Sequence, residues 1–222
     1  MKTRNLILAG AATLAFFSFT KQEVTTVETE AAPALRNIKN SAFKAGEKLE
    51  YRLHYGIINA GIAILEIKPL AKKIAGRDVY HIVGSGRSKG AFDWVFKVRD
   101  TYETFLDVDG IFPWLFVRDI NEGGYKKQQT YKFAQNNNKV DNGKGKYFKA
   151  PHGVQDMLSA FYYARSIDYS KAKKGETFTI WSFVDDELWP LKIRYLGKDQ
   201  IKVGGDKYKA LIYPDEYDYL DD

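Results

Sequence analysis

Residues 100–120 read DTYETFLDVDGIFPWLFVRDI, and this stretch decides the fold. Two runs rich in aromatic and β-branched residues, 100–108 and 112–120, are separated by Asp109-Gly110. Such residues favour strands, and Asp-Gly between two apolar runs is the strongest short-range signal for a β-hairpin. The stretch therefore predicts two antiparallel strands joined by a tight turn.

The pattern of a half-buried strand recurs on both sides of this hairpin. In residues 49–55 the apolar side chains occupy odd positions and the polar ones even positions. Further strands are predicted at residues 60–67, 79–88, 125–134, 176–184, 188–196, 200–203 and 208–213. Consecutive strands joined by short turns predict a mainly β fold, an antiparallel meander that forms an incomplete barrel or curved sheet.

One helix is expected among these strands. Between residues 154 and 165 the apolar side chains recur at spacings of three and four residues and would form a single stripe: Val154, Met157, Leu158, Phe161 and Ala164. Such spacing places side chains on one face of a helix. We therefore expect one amphipathic helix that packs on the sheet through this stripe.

The N-terminal segment is typical of an export signal. Lys2 and Arg4 give residues 1–20 a basic start, and an uncharged, mostly apolar run follows at residues 6–19. This run is shorter than the roughly 20 apolar residues that span a bilayer. We expect residues 1–20 to be a signal peptide, no transmembrane segment to remain after its cleavage, and the protein to be periplasmic or secreted.

The rest of the chain is predicted to comprise a linker and one domain. Residues 21–41 are rich in Thr, Glu and Ala without clear periodicity and are interpreted as a flexible linker. Residues 42–222 are predicted to form a single β-rich domain. The chain has no cysteine, which excludes a lipid anchor, disulfides, thiolate metal sites and thiol catalysis.

The charge of the chain argues against a nucleic-acid partner. The formal net charge is +6 at pH 7, and basic pairs such as Lys126-Lys127 are separated by acidic and aromatic residues. Binding to nucleic acid requires a concentrated basic patch or stripe. We therefore expect no nucleic acid among the partners.

Patterns typical of catalysis or metal binding are weak. The three histidines lie on two predicted strands and a loop, and no pair has the spacing of metal ligands. Residues 84–90 are glycine-rich but lack the spacing of a phosphate-binding loop, and we interpret them as a strand end that lets another backbone or a bulky ring approach. Asp100 and Glu103 have opposite parity on one strand and would leave on opposite faces. We expect no metal, no cofactor and no enzymatic activity.

Aromatic residues make up 15% of the chain and are its most distinctive feature. Rings beside glycine-rich and hairpin segments can line a pocket for an apolar ligand. The candidate residues for such a wall are Trp94, Phe96, Trp114 and Phe116. The alternative is that the rings fill the core, since aromatic residues are favoured in strands.

Several segments, in order along the chain, resemble those of one protein family. They are FKAGEKLEY at 43–51, the glycine-rich residues 84–88, FDWVFKVRDTYE at 92–103, EGGY at 122–125 and VQDMLSAFYYAR at 154–165. Together they resemble the exported bacterial proteins of the domain of unknown function 3108 (DUF3108) family, in particular envelope proteins of the Bacteroidetes type. The resemblance implies a mainly β domain, an incomplete barrel around a helix in the manner of periplasmic lipoprotein carriers, and no established reaction.

The C-terminus departs from this family pattern. Family members continue with further strands after the position that matches residues 208–213, whereas residues 214–222 here are acidic and lack strand alternation. The chain is therefore expected to lack the family's C-terminal strands and to leave an open sheet edge.

Three functions remain open from the sequence. The first is a non-enzymatic exported domain that binds an apolar or amphipathic envelope molecule, such as a lipid or a lipidated chain. The second is a scaffolding or assembly protein that recruits a partner strand at an open sheet edge. The third is a hydrolase of envelope polymers, which would need two carboxylates brought together by folding.

Overall fold

The computed structural model describes four stretches of the chain: residues 34–55, 58–69, 73–203 and 206–212. The predicted signal peptide, the first part of the predicted linker and the acidic C-terminal residues lie outside these stretches. Within the described residues, no helix is long and apolar enough to cross a membrane.

The described residues form thirteen strands and two α-helices. The strands are β1 (Lys48–Tyr55), β2 (Ile58–Ile67), β3 (Lys73–Ile74), β4 (Arg77–Ser88), β5 (Arg99–Asp107), β6 (Pro113–Glu122), β7 (Tyr125–Ala134), β8 (Lys139–Asp141), β9 (Tyr147–Lys149), β10 (Thr177–Val184), β11 (Glu187–Arg194), β12 (Gly197–Val203) and β13 (Asp206–Ile212). The helices are α1 (Gly90–Val95) and α2 (Met157–Ser166).

Nine strands of the described chain form one antiparallel sheet in the order β1-β2-β4-β5-β6-β7-β8-β9, with β3 paired to β4. Two hairpins, β10-β11 and β12-β13, follow as separate two-stranded sheets. Spatial order follows chain order, and the nine-stranded sheet does not close into a barrel. The predicted mainly β, antiparallel fold with one substantial helix is confirmed. Helix α1 was not predicted.

The start of α2 is fixed by a capping box. Asp156 accepts hydrogen bonds from the backbone N–H groups of Leu158 and Ser159, both at 2.8 Å. The Ser159 hydroxyl in turn lies 2.7 Å from the Asp156 N–H and accepts from it. The helix therefore begins at Met157, three residues later than the periodicity predicted.

The predicted apolar stripe of this helix is confirmed only in part, since Leu158 packs over Gly84 of the sheet and Ala164 packs in a buried cluster. Met157 and Phe161 are exposed, whereas Ser159, Ala160 and Tyr162 are buried. The physical reason is that α2 is covered on two sides, so its buried residues do not form one stripe. Tyr162 packs in a cluster with the sheet, and Ala160 packs against the β10-β11 hairpin.

The two faces of the sheet carry separate apolar clusters. Thr104 of β5 donates its hydroxyl hydrogen to Asp156 at 2.6 Å, so the face that carries Thr104 is the one that meets α2. On this helix face lie two clusters with the cores Phe43, Ile67, Tyr80, Ile82, Leu106, Ile111 and Tyr162, and Phe116, Tyr131, Phe133, Val140, Ala150, Val154 and Phe183. The opposite outer face carries a smaller cluster of Val79, Phe105, Phe112 and Trp114.

The segment before the sheet packs against the domain. Leu35 contacts the outer-face cluster and Ile38 the helix-face cluster. The Arg36 guanidinium donates to the carbonyl oxygens of Gly110 and Ile111 at 2.6 and 2.5 Å. These residues were assigned to the linker from sequence, and their contacts extend the packed part of the chain back to Leu35.

Gly84 of β4 lies directly beneath α2. A Cβ atom at this position would lie 3.1 Å from Leu158 Cδ2 and 3.1 Å from Leu65 Cδ2. The absence of a side chain thus lets the Leu158 side chain of the helix approach the sheet closely, so the group that approaches here is an aliphatic side chain.

We expect Gly84→Val to destabilise the protein by about 1–3 kcal/mol, because the added methyl groups would overpack the contact with Leu158. The free energy of unfolding in urea measures this loss. Gly86→Val is the matched control on the same strand, since the atom nearest to its Cβ position is Asp100 Cβ at 3.9 Å. An equal loss in both variants would show that helix packing is not the cause.

Candidate ligand groove

The structure does not bring the four predicted wall residues together. Trp94 and Phe96 lie at the α1 end of the sheet and are 95% and 50% exposed. Phe116 is buried in the helix-face cluster at 1% exposure, whereas Trp114 belongs to the outer-face cluster. Of the four, Trp114 alone lines the groove described below.

A β-bulge separates Trp114 from Phe116. Phe105 of β5 pairs with Leu115, but the next residue, Leu106, pairs with Pro113, so Trp114 is an extra residue in β6. A bulge re-aims the side chain at the inserted position. Trp114 therefore packs on the outer face, although it has the same parity in sequence as Phe116.

The Asp107 carboxylate holds Trp114 in this position. Trp114 Nε1 donates to Asp107 Oδ2 at 3.0 Å. Arg77 donates to the same carboxylate through Nε at 2.5 Å and Nη2 at 2.8 Å, and the Gly110 N–H donates at 2.7 Å. Burial raises the pKa of Asp107, but the hydrogen bonds from Arg77, Gly110 and Trp114 outweigh burial and leave this pKa lowered.

The turn between β5 and β6 is built around this carboxylate. The turn includes more residues than the predicted Asp109-Gly110 pair. The hydrogen bond that closes it runs from the Asp107 N–H to the Phe112 carbonyl at 2.8 Å, so residues 108–111 lie between the two strands. A Cβ on Gly110 would lie only 2.1 Å from the Phe112 ring, so the close packing of that ring requires glycine. The turn thereby places Phe112 beside Trp114, with ring centroids 5.4 Å apart.

An open groove of about 650 Å³ lies beside Trp114. Its lining residues come from β3, from β6 to β9 and from the turn after β7: Ile74, Trp114, Leu115, Lys132, Phe133, Ala134, Asn137, Lys139, Asp141 and Tyr147. We refer to this surface as the Trp114 groove. Its size is within the range of small-molecule sites, which are usually apolar with a few polar groups.

Strand register explains how these side chains meet. Leu115 pairs with Lys132, Lys132 with Asp141, and Asp141 with Tyr147, so the four form one row across β6 to β9. Cross-strand partners project from the same face of a sheet. The groove thus combines an apolar floor with a row of polar groups along its far side.

The polar side of the groove, which we call its rim, contains two lysines and one aspartate, Lys132, Lys139 and Asp141. Lys132 and Lys139 are exposed and belong to the groove lining. Among the residues that the structure describes, neither ammonium group has an ion-pair partner. Asp141 is the acidic lining residue, and its carboxylate accepts the Gly143 N–H at 2.8 Å.

Sequence reasoning found Trp114 but missed the other lining residues. Leu115 and Lys132 could have been paired only through the register of β6 and β7, which depends on the bulge. Lys139 and Tyr147 lie on the three-residue strands of a short hairpin, which are too short to show alternation in sequence. Ile74 belongs to a two-residue strand that carries no pattern in sequence.

Two carboxyl groups meet at the opposite end of the sheet. Burial, followed by the hydrogen bond and charge of Asp100, raises the pKa of Glu122. The hydrolase hypothesis requires two carboxyl groups about 5–10 Å apart, and a pair in hydrogen-bond contact does not have this spacing. Asp100 Oδ1 also accepts the backbone N–H of Asn121 at 2.9 Å, which gives this carboxylate a structural role between β5 and β6.

The histidines are not grouped with metal ligands. His81 Nε2 lies 2.6 Å from Glu103 Oε2, and the His81 ring stacks on Phe105 with centroids 4.5 Å apart. Within the described stretches, no three side chains of the metal-binding types form a cluster.

Comparison with known proteins identifies one similarity. A family model described as "Protein of unknown function (DUF3108)" matches residues 50–217, which is more than half of the chain. The comparisons with curated proteins and with solved structures gave no match.

Proposed function

The chain belongs to the DUF3108 family, and since that family is described only as proteins of unknown function, we propose a function from the geometry of the groove. The protein is an exported, non-catalytic domain that binds an amphipathic molecule in the Trp114 groove. The apolar chain of the ligand lies on the groove floor, and its anionic head lies at Lys132 and Lys139.

The composition of the groove is the observation that supports this proposal. The floor offers Ile74, Trp114 and Leu115 to an apolar chain, and burial of apolar surface is the main source of affinity for such a ligand. Trp114 is held by its hydrogen bond to Asp107, so the floor is formed before the ligand arrives. A preformed site loses less conformational entropy on binding.

The charges of the rim favour an anionic head over a neutral or cationic one. Lys132 and Lys139 face the groove without ion-pair partners among the described residues, and their two ammonium groups outnumber the one carboxylate of the lining, Asp141. A charge pair near a protein surface is worth about 1–4 kcal/mol at contact distance. Fatty acids and acidic phospholipids satisfy both requirements of the groove.

Binding of the fluorescent fatty acid cis-parinaric acid to the delipidated protein tests the proposal. We expect saturable binding that Lys132→Glu combined with Lys139→Glu weakens at least about fivefold, because the rim charge is reversed. Leu115→Ser should also weaken binding, because it removes an apolar side chain from the groove floor. The matched control is Lys171→Glu combined with Lys174→Glu. It changes the net charge equally, at two exposed lysines of a loop outside the groove, and should leave the affinity unchanged.

The absence of saturable binding would contradict the proposal. Equal weakening by the rim pair and the loop pair would also contradict it, because attraction would then depend on net charge and not on the groove. Circular dichroism and the urea midpoint of each variant show whether the fold is retained.

The free edge of the sheet supports a second candidate function. β1 is eight residues long and ends the sheet, with β2 as its neighbour among the described strands. An extended segment of a partner could add to this edge by main-chain hydrogen bonds. Lys48, Glu50 and Arg52 are exposed along β1, and since such charges oppose unspecific pairing at an edge, a partner segment would need charges that complement them.

Sedimentation velocity over a range of concentrations distinguishes this second candidate. A mass that rises with concentration in the wild type and not in Arg52→Pro would favour strand addition at β1, because proline removes a ladder donor. A concentration-independent monomer would count against self-assembly through this edge.

A further inference from the structure

A cluster of apolar side chains is exposed at the α1 end of the sheet. Trp94 is 95% exposed, Val95 84%, Phe96 50% and Tyr125 57%. Large apolar residues are exposed singly on most soluble proteins, but a group of four at one end usually marks a contact surface. We call these four residues the aromatic tip.

The tip is held in place by polar contacts at its base. Asp93 of α1 accepts hydrogen bonds from the Ser88 hydroxyl and from Arg99 Nη1, both at 2.6 Å. The Gly123 N–H in the turn before Tyr125 donates to the Lys97 carbonyl at 2.9 Å. Trp94 and Val95 are therefore exposed on a segment that hydrogen bonds and an ion pair hold in place.

Glycine at the neighbouring turn adds to this arrangement. A Cβ on Gly123 would lie 2.3 Å from the Phe96 ring, so the ring can rest on the turn only because residue 123 has no side chain. Phe96 thus joins the α1 segment to the β6-β7 turn and brings Trp94 and Tyr125 to the same end of the sheet.

The charges around the tip are positive. Lys97 and Lys126 are exposed beside the apolar residues, and no ion pair of either lysine occurs among the described residues. Asp93 is ion-paired with Arg99. The nearby acidic residues Asp100 and Glu122 are buried and half-buried, whereas both lysines are exposed. Exposed rings flanked by exposed lysines match an anionic, partly apolar surface.

We propose that the aromatic tip docks the protein on an anionic lipid bilayer, with Trp94, Val95 and Phe96 inserted at the level of the headgroups. Tryptophan, tyrosine and phenylalanine favour this interface, and nearby lysines add attraction to anionic lipids. A protein partner would satisfy the apolar residues equally well, but the exposed lysines Lys97 and Lys126 favour the charged membrane surface.

This inference goes beyond the ligand groove and does not depend on it. The tip lies where β5 begins and the Trp114 groove where β5 ends, eight residues later. At about 3.4 Å per residue the two surfaces are roughly 27 Å apart. The groove therefore remains free while the tip contacts a membrane.

Binding to vesicles tests the proposal. The purified protein is mixed with vesicles of equimolar phosphatidylcholine and phosphatidylglycerol, or of phosphatidylcholine alone, and the bound fraction is measured by sedimentation. We expect binding to the anionic vesicles that Trp94→Ser combined with Val95→Ser weakens at least about tenfold, because two inserted side chains are lost. Lys97→Glu and Lys126→Glu should each weaken it roughly fivefold.

Tryptophan fluorescence identifies the inserted residue. Trp94 is far more exposed than Trp114, at 95% against 8%, and Trp181 and Trp189 are partly buried. A blue shift with anionic vesicles, and quenching by brominated lipid, should therefore arise from Trp94. Trp94→Phe should bind with similar affinity and lack both signals.

Two results would overturn the proposal. One is equal binding of the wild type and the Trp94→Ser, Val95→Ser variant to anionic vesicles. The other is a wild type that ignores vesicles but forms dimers that this variant abolishes, since the tip would then be a contact between copies. The groove variant Leu115→Ser should keep vesicle binding, so failure of the groove and failure of the tip are distinguishable.

Discussion

Replacing Asp107 by alanine is expected to destabilise the protein by about 3–5 kcal/mol, the largest effect of any single substitution considered. The carboxylate is fully buried and accepts hydrogen bonds from Arg77, Gly110 and Trp114. Its removal leaves the Arg77 guanidinium with the exposed Asp109 carboxylate, 3.8 Å away, as its ion-pair partner, and it leaves two buried donors without an acceptor. The β5-β6 turn and the position of Trp114 depend on the same contacts, so ligand binding in the groove should be lost as well.

Asp109→Ala is the matched control for this prediction. Asp109 is in the same turn, but its side chain is 61% exposed and lies 3.8 Å from Arg77 Nη2. An exposed ion pair contributes at most about 1 kcal/mol. Urea unfolding measures both variants, and a loss in Asp107→Ala no larger than in Asp109→Ala would contradict the proposed role of the buried carboxylate.

The Asp107 contribution also has a defined pH dependence. Its pKa is lowered in the folded protein, so the folded state binds this proton less readily than the unfolded chain. The stabilisation is therefore present above the ordinary pKa of an aspartate, about 3.9, and is lost as the pH falls through the lowered value.

Asp156 is expected to show the opposite pH dependence. It is fully buried at the start of α2, and burial raises its pKa to about 6, although Thr104, Ser159 and Leu158 donate hydrogen bonds that act against this rise. The folded state holds the proton more readily than the unfolded chain between about pH 4 and pH 6. The contribution of this group to stability therefore decreases by about 3 kcal/mol as the pH rises through that window.

A pair of variants separates the charge of Asp156 from its capping role. Asp156→Asn keeps an oxygen that can cap α2 and removes the buried charge, so it should be at least as stable as the wild type at pH 7 and lose this pH dependence. Asp156→Ala removes the cap and should be less stable than Asp156→Asn by about 1–2 kcal/mol. Parallel pH profiles of the unfolding free energy in the wild type and Asp156→Asn would contradict the raised pKa.

The strands were predictable because their signals are local. Residues 100–120 carry both strand patterns and the turn signal of one hairpin, and β5 and β6 form there. The bulge at Trp114 could not be predicted, because it follows from the packing of Phe112 and Trp114 around Asp107 and not from alternation. Because of this single shift in register, Trp114 and Phe116 lie on opposite faces of the sheet.

The helix shows a second limit of periodicity. Met157 and Phe161 have the spacing of a buried stripe, yet α2 lies between the sheet and the β10-β11 hairpin, and only tertiary contacts decide which side chains are covered. Similarly, the sequence marks Trp94 and Phe96 as unusual rings but does not show that they are exposed. Contacts of Asp93 with Arg99 and of Phe96 with Gly123 hold these residues in place, and such contacts between segments distant in sequence cannot be predicted from local patterns.

The measurement that tests the proposed function most directly is native mass spectrometry of the protein recovered from the periplasm of an expressing cell, with Leu115→Ser in parallel. For the wild type we expect extra mass that leaves on denaturation and fragments as an anionic lipid, and for the variant a reduced occupancy. A wild type that is recovered there as a bare, correctly processed chain would contradict ligand binding in the Trp114 groove.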